Sequence, residues 1–201
     1  MTRAQQVADA AIEVLAALGA RGLTHRAVDA AAGLPPGTTS NYARTRAALL
    51  TLTLTRIAEL DAADGASGMT PRDPGGPPLA TLADGLAQML HRMISDPRAR
   101  QRTLARFELA FEATRRAGLR CAYDDMGRSF RDQAARLLAA AGSADPHRDA
   151  WTLIAWLEGT AFYALVGAGA ASAPSLAQLD AQLTRLLTSM CGNTPGAAHG
   201  Q

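Results

Sequence analysis

Short polar side chains crowd one stretch of this chain. Thr38, Thr39, Ser40 and Asn41 follow Pro36 and Gly37, and Tyr42 comes next. These are poor helix formers, yet strong helix formers lie on both sides of them. Thr38 and Asn41, three apart, share one face of a helix. Threonine and asparagine reach base edges and thymine methyl groups. Thr24, His25 and Arg26 precede this stretch and Arg46 follows it. From Arg21 to Arg46 there are four arginines and one carboxylate, Asp29. The chemistry implied is recognition of nucleic acid. Catalysis finds little support: there is no phosphate-binding glycine loop and no nucleophile motif, and the four histidines are scattered. The expectation is therefore no enzyme, no metal and no cofactor. The acidic pair Asp124 and Asp125 beside Tyr123 reads as a solvated helix face.

The elements around these residues follow from apolar spacing. Val7, Ala11, Val14, Leu15 and Leu18 predict a first helix over 3–18 with one apolar face, broken by Gly19 and Gly22. Leu23 is expected as a core plug and Thr24 as the N-cap of a helix over 24–32, with Val28, Ala31 and Ala32 facing inward. Gly33 ends that helix, and a second short helix opens with Pro36 at its first position. Helix, glycine turn and polar helix together form the pattern of a helix-turn-helix DNA reader.

A further helix is expected over 45–63. Leu50, Leu52 and Leu54 alternate with threonines at a strand-like period of two, but Leu50, Leu54 and Ile57 also fit helical spacing. No partner strand exists elsewhere, so helix is the reading. The Gly- and Pro-rich stretch 65–78 reads as an exposed loop. Helices follow over 79–95, 98–117, 119–141 and 147–171. The second of these starts at Asp96-Pro97. A last helix is capped by Ser175. It carries Leu176, Leu179, Leu183, Leu186, Leu187 and Met190 at the spacing of a bundle seam.

Composition agrees with an all-α class. Aromatics make up 4% of the 201 residues and strand-type runs are few. A net charge of +2 means that any nucleic-acid contact rests on local charge and not on the whole chain. Cys121 and Cys191 lack metal or redox spacing and read as reduced thiols. No signal-peptide pattern is present, since Asp9 and Glu13 interrupt the first apolar run, and a cytoplasmic location is expected. The segment 151–171 is apolar but carries Glu158 near its middle. It is rich in Gly and Ala, and Arg148 with Asp149 just outside one end gives no positive-inside bias. A packed helix, and no membrane span, is the expectation.

The N-terminal segment resembles the TetR family of bacterial transcriptional regulators. The resemblance rests on Gly22-Leu23-Thr24, Ala30-Ala31-Ala32, Gly33-Leu34-Pro35, Gly37-Thr38-Thr39-Ser40 and Ala43-Arg44-Thr45-Arg46. It covers about the first quarter of the chain. The resemblance implies a helix-turn-helix domain over 1–45, a helical ligand-binding and dimerisation domain over 46–191, and a disordered tail over 192–201. It places Thr24, His25 and Arg26 near the phosphates and Pro36, Gly37, Thr38 and Asn41 in the major groove. Arg46 takes the place of a phosphate-binding lysine. Ser40 and Ala43 depart from the family, which carries a tyrosine and a core phenylalanine there. Tyr42 either contacts DNA or turns inward to fill the space at Ala43.

The same resemblance implies a homodimer built on the last two helices. The interface would take in Trp151, Glu158, Phe162, Leu176, Leu179, Leu183, Leu186, Leu187 and Met190. It also implies a small, largely apolar effector. The bulky residues Met89, Met93, Leu104, Phe107, Phe111, Trp156, Phe162 and Tyr163 are candidates to line its pocket, with most of them also readable as core. Glu108 joins them because a carboxylate in an apolar stretch needs a partner; an arginine is the plainer one. The expected function is a repressor that binds a palindromic double-stranded DNA operator and is released when the effector shifts the helix over 45–63. Two alternatives stay open: an activator, and a helical interaction protein whose helix-turn-helix has lost DNA binding.

Overall fold

The structure is a computed structural model that describes residues 1–66 and 78–192. Within them the chain is helical throughout: α1 (Arg3–Gly22), α2 (His25–Ala31), α3 (Thr38–Tyr42), α4 (Arg46–Ala66), α5 (Leu79–Ser95), α6 (Pro97–Ala113), α7 (Ala117–Ala140), α8 (Pro146–Leu165) and α9 (Leu176–Cys191), with a 3₁₀ turn over Ala170–Ser172. The all-α expectation holds, and the alternating Leu-Thr run lies inside α4. The expected loop over 65–78 and the expected tail fall almost wholly outside the described residues. No described helix is long and apolar enough to cross a membrane.

Helix starts follow the caps that the sequence supplies. Thr2 and Gln5 form a capping box on α1, and Ser175 and Gln178 form one on α9. Asp96 accepts the Arg98 and Ala99 N–H groups with Pro97 in the first turn of α6. Two ends differ from expectation. The break between α6 and α7 falls at 114–116, before Gly118. Helix α8 stops at Leu165, short of the expected 171.

Packing divides the described residues into two compact units: 1–65 with 95–127, and 66 and 78–94 with 128–192. In the first unit Val7, Ala11, Val14 and Leu15 of α1 form a core with Leu23, Val28, Leu49, Leu50, Leu54 and Ile57. Ala105 and Leu109 of α6 complete it. Leu18 and Ala31 were expected to face inward, but both are exposed. The apolar stripe of α1 ends where the helix bends at Gly19. On α2 a buried Asp29 takes an inward position next to Val28.

Ion pairs tie the long helices of this unit. Arg56 of α4 donates to Asp9 of α1 at 2.7 Å and to Glu59 at 3.0 Å. The Arg56 guanidinium is held above its ordinary pKa, chiefly by the Asp9 hydrogen bond. Arg102 of α6 reaches Asp61 at 2.7 Å and also Asp64.

In the second unit the seam of α9 is satisfied within one chain. Leu179, Leu183 and Leu187 are fully buried inside the single protomer. This corrects their assignment to a dimer interface: a leucine stripe at bundle spacing serves the nearest core, and here that core is the chain's own. Leu186 and Met190 are half-buried at the flank of that stripe, and Leu176 is exposed. Leu183→Ala is accordingly expected to cost about 2–5 kcal/mol of folding stability in urea unfolding. Unchanged stability with a loss of self-association would return Leu183 to an interface.

Candidate nucleic-acid interface

The turn between α2 and α3 is set by backbone chemistry. Gly33 lies at φ 64°, the left-handed region that favours glycine. The Gly33 N–H donates to Ala30 O at 3.2 Å and the Leu34 N–H to Asp29 O at 2.8 Å. That pair of bonds is a Schellman closure of α2. Thr24 caps the other end as expected, its Oγ1 accepting the Ala27 N–H at 3.1 Å.

Helix α3 has only five residues, too few to stand by propagation alone. It starts at Thr38 and not at Pro36; Gly37 is its N-cap, at φ 89°. The left-handed Gly37 interrupts helical geometry just before Thr38, so Pro36 lies in the turn and not at the first helical position. The missing cap is supplied from α2. Asp29 Oδ2 accepts the Gly37 N–H at 2.7 Å, and Oδ1 accepts the Thr39 N–H at 2.7 Å and the Thr39 hydroxyl at 2.6 Å. Asp29 and Thr39 are both buried, and Asp29 is covered without being deep. Burial pushes its pKa up, but the Thr39 hydroxyl, the Thr39 and Gly37 N–H groups and nearby His25 together hold it below the ordinary value. Sequence reasoning missed Asp29 and Thr39 as site residues. The available signal was a lone carboxylate in an arginine-rich stretch.

With Thr39 turned inward, Ser40, Asn41 and Tyr42 of α3 are exposed, as are Pro36 and Gly37 before it. Thr38 is half-buried, and its hydroxyl donates to Pro35 O at 2.7 Å. Tyr42 is 43% exposed while Ala43 is buried. Tyr42 therefore does not turn inward, and the alanine fills its core position by itself.

Two residues expected near phosphates are engaged elsewhere. His25 Nε2 lies 2.5 Å from Ala43 O, tying the start of α2 to the end of α3. The Arg46 guanidinium donates to the carbonyl oxygens of Ala20 and Leu23. This differs from the clamp expected at a helix N-terminus, because carbonyls at the end of α1, where the helix ladder runs out, lie within reach of the guanidinium. Arg26 and Arg44 are exposed. Gln6 of α1 donates to Ala32 O at 2.9 Å and anchors the end of α2, a tie that nothing in the sequence pattern signalled.

The candidate effector residues fall in both units. In the first, Phe107 is buried with Arg106 over its ring, Leu104 is half-buried and Phe111 is 52% exposed. Glu108 is taken by the backbone: its Oε2 accepts the Ala20 N–H at 3.0 Å. The arginine partner expected for it is engaged elsewhere, since Arg115 and Arg116 both pair with Glu112. In the second unit Met89, Met93 and Trp156 are half-buried. Trp156 and Tyr163 line an open depression with Thr160 of α8 and Gln182 of α9. Trp151 and Phe162 are exposed on α8, and Glu158 is half-buried.

A helix-turn-helix followed by long helices defines a class of DNA-binding regulators. Residues 77–189 match the family model described as tetracyclin repressor-like, C-terminal domain, and the chain belongs to the TetR family of transcriptional regulators. Solved structures agree. A TetR-family member from Streptomyces coelicolor A3 is 28% identical, with a TM-score of 0.71 over 92% of this chain and 98% of that one. The multidrug binding protein EbrR complexed with malachite green is 28% identical, with a TM-score of 0.66 over 92% and 98%. A transcriptional regulator from Rhodococcus sp. Rha1, 20% identical, shares the fold with a TM-score of 0.77 over 94% and 96%. Among curated proteins, none matches this sequence.

Asp29→Asn tests the cap. The carboxamide offers one acceptor where the carboxylate offers two, and its NH₂ would face another donor. Loss of about 1–3 kcal/mol is expected near neutral pH. Because the folded-state pKa is depressed, the contribution of Asp29 is complete above the unfolded value and is lost as pH falls through the folded one. The gap between wild type and variant in urea unfolding should therefore narrow on acidification below the ordinary carboxylate range. A gap independent of pH would remove the charge from the argument.

Proposed function

We propose that this chain is a ligand-responsive repressor that binds a palindromic DNA operator as a homodimer. The observation that carries the reading is the Asp29-capped α3, a five-residue helix tied to α2 by three hydrogen bonds with Asn41 and its neighbours outward. Pro36, Gly37, Ser40, Asn41 and Tyr42 are exposed there. Asn41 suits adenine, Thr38 offers its methyl to thymine, and Gly37 lets backbone approach bases closely. Arg26 and Arg44 take the phosphate role, together with Thr24 at the start of α2. His25 acts by holding Ala43 in place.

Dimerisation is proposed through the outer face of α8. Trp151, Ala155, Gly159, Phe162 and Val166 are all exposed and recur every three or four residues. They form one continuous stripe with small residues at its centre, a shape suited to close packing of a second helix. Leu176 of α9 is exposed as well. A palindromic operator offers one half-site to the α3 helix of each chain. Effector contacts are proposed among Met89, Met93 and Trp156. EbrR is described as binding malachite green, which makes that dye a reasonable first probe. Such a ligand releases DNA only to the extent that it prefers the released arrangement, and α4 is the element proposed to move.

Asn41→Ala is expected to cost about 1–3 kcal/mol on the duplex that the wild-type chain selects from a random pool. It should cost almost nothing on unrelated duplex, because phosphate contacts carry that binding. Titration of both at one salt concentration makes the comparison. A wild-type chain that selects no sequence overturns the repressor reading in favour of an interaction protein. For the dimer, Phe162→Asp should shift sedimentation from dimer to monomer with the helical signal retained. A wild-type chain that sediments as a monomer overturns the α8 proposal.

A further inference from the structure

The bend in α1 is held by two side chains from outside the helix-turn-helix segment. At Gly19 the backbone leaves helical geometry, with φ 66° and ψ −179°. Glycine is needed there for its positive φ; a Cβ would meet Glu108 only at ordinary van der Waals range, 3.5 Å from Oε2. The bend takes the Ala20 N–H out of the α1 ladder, and Glu108 of α6 accepts it. The carbonyl of the same residue accepts Arg46 of α4, which also donates to Leu23 O. Both backbone polar groups of Ala20 are thus held by side chains from two different helices. All of these residues lie in one compact unit.

We infer that Glu108 and Arg46 are positioning residues for sequence readout, an inference that rests on the DNA-binding reading above. Only Leu23 and Thr24 separate α1 from α2. A change of direction at the end of α1 therefore passes to α2 with little slack. Asp29 then fixes α3 to α2. Contact with base edges depends on placement to within about half an ångström. Phosphate contacts made by long arginine side chains tolerate a small rotation. Loss of the Ala20 clamp should therefore erode specific binding and spare non-specific binding. Glu108 lies within residues 77–189, the segment matched by the C-terminal family model. The DNA-reading helices consequently depend on a residue outside their own segment.

The test uses the full chain with Glu108→Ala, Glu108→Gln and Arg46→Ala. Each is titrated against the duplex that wild type selects from a random pool and against an unrelated duplex of equal length. Glu108→Ala should bind the selected duplex about tenfold more weakly, as expected if only about one chain in ten then holds the reading geometry, and the unrelated duplex unchanged. Glu108→Gln keeps an acceptor oxygen and should recover most of the loss. Arg46→Ala should lose specific affinity similarly while the slope of log affinity against log salt stays that of wild type. Partial unfolding would depress both titrations equally, so the ratio of the two separates positioning from stability. Equal effects of Glu108→Ala on both duplexes, or none on either, overturn the inference. So does a salt slope in Arg46→Ala that falls by about one unit for every phosphate given up, which would place Arg46 on the DNA backbone. These failures are distinct from wild type selecting no sequence, which overturns the DNA-binding reading itself and this inference with it.

Discussion

A covered carboxylate must be hydrogen-bonded, and Asp29 meets that demand by organising the surface that distinguishes this protein. Its two oxygens face three donors, all from the first residues of α3 or the turn before it. A five-residue helix has no internal cooperativity to draw on. Its geometry is borrowed from α2, and α2 in turn is closed by Gly33 and anchored by Gln6. With Thr39 turned inward to meet Asp29, its neighbours Ser40 and Asn41 turn outward, and Tyr42 is exposed beside them. Inward cap and outward polar face are thus consequences of one constraint.

The same logic governs the end of α1. A helix terminus leaves carbonyls without partners, and a bend adds an orphaned N–H. Charged side chains from α4 and α6 satisfy these groups. Arg46 takes two carbonyls and Glu108 takes the N–H. Further along, Arg56 joins α4 to α1, and Arg102 joins α6 to α4. Three long helices are therefore connected pairwise by charge-assisted bonds around an apolar core. Such bonds are directional, so they restrict how one helix can rotate against another in a way that packing of small apolar residues such as alanine does not.

Family membership narrows the function to transcriptional regulation, and the local chemistry adds detail that the family pattern alone would misplace. Ser40 and Ala43 depart from the pattern, yet the departures are absorbed. Ala43 is buried as it stands, and Tyr42 stays at the surface. The residue in place of the usual phosphate-binding lysine is an arginine with its five donors fixed in a fork. That fork can reach two carbonyls at once, and it does so here.

Local signals decided what the sequence could decide alone. Caps at Thr2, Thr24, Asp96 and Ser175 set helix starts, Gly33 set the turn, and apolar spacing set the buried stripe of α1 from Val7 to Leu15. These depend on interactions within a few residues, so they are legible one window at a time. The tertiary structure decided what depends on distant neighbours. Leu179, Leu183 and Leu187 have the spacing of a seam between helices, but spacing does not say whose helix lies opposite. Glu108 needed a partner by the cost of burial, but the partner is a backbone N–H 88 residues away. Arg46 has the right place for a phosphate and the wrong neighbours for it. In each case the residue's chemistry was evident from the sequence, while the choice among possible partners was made only when folding brought one of them close.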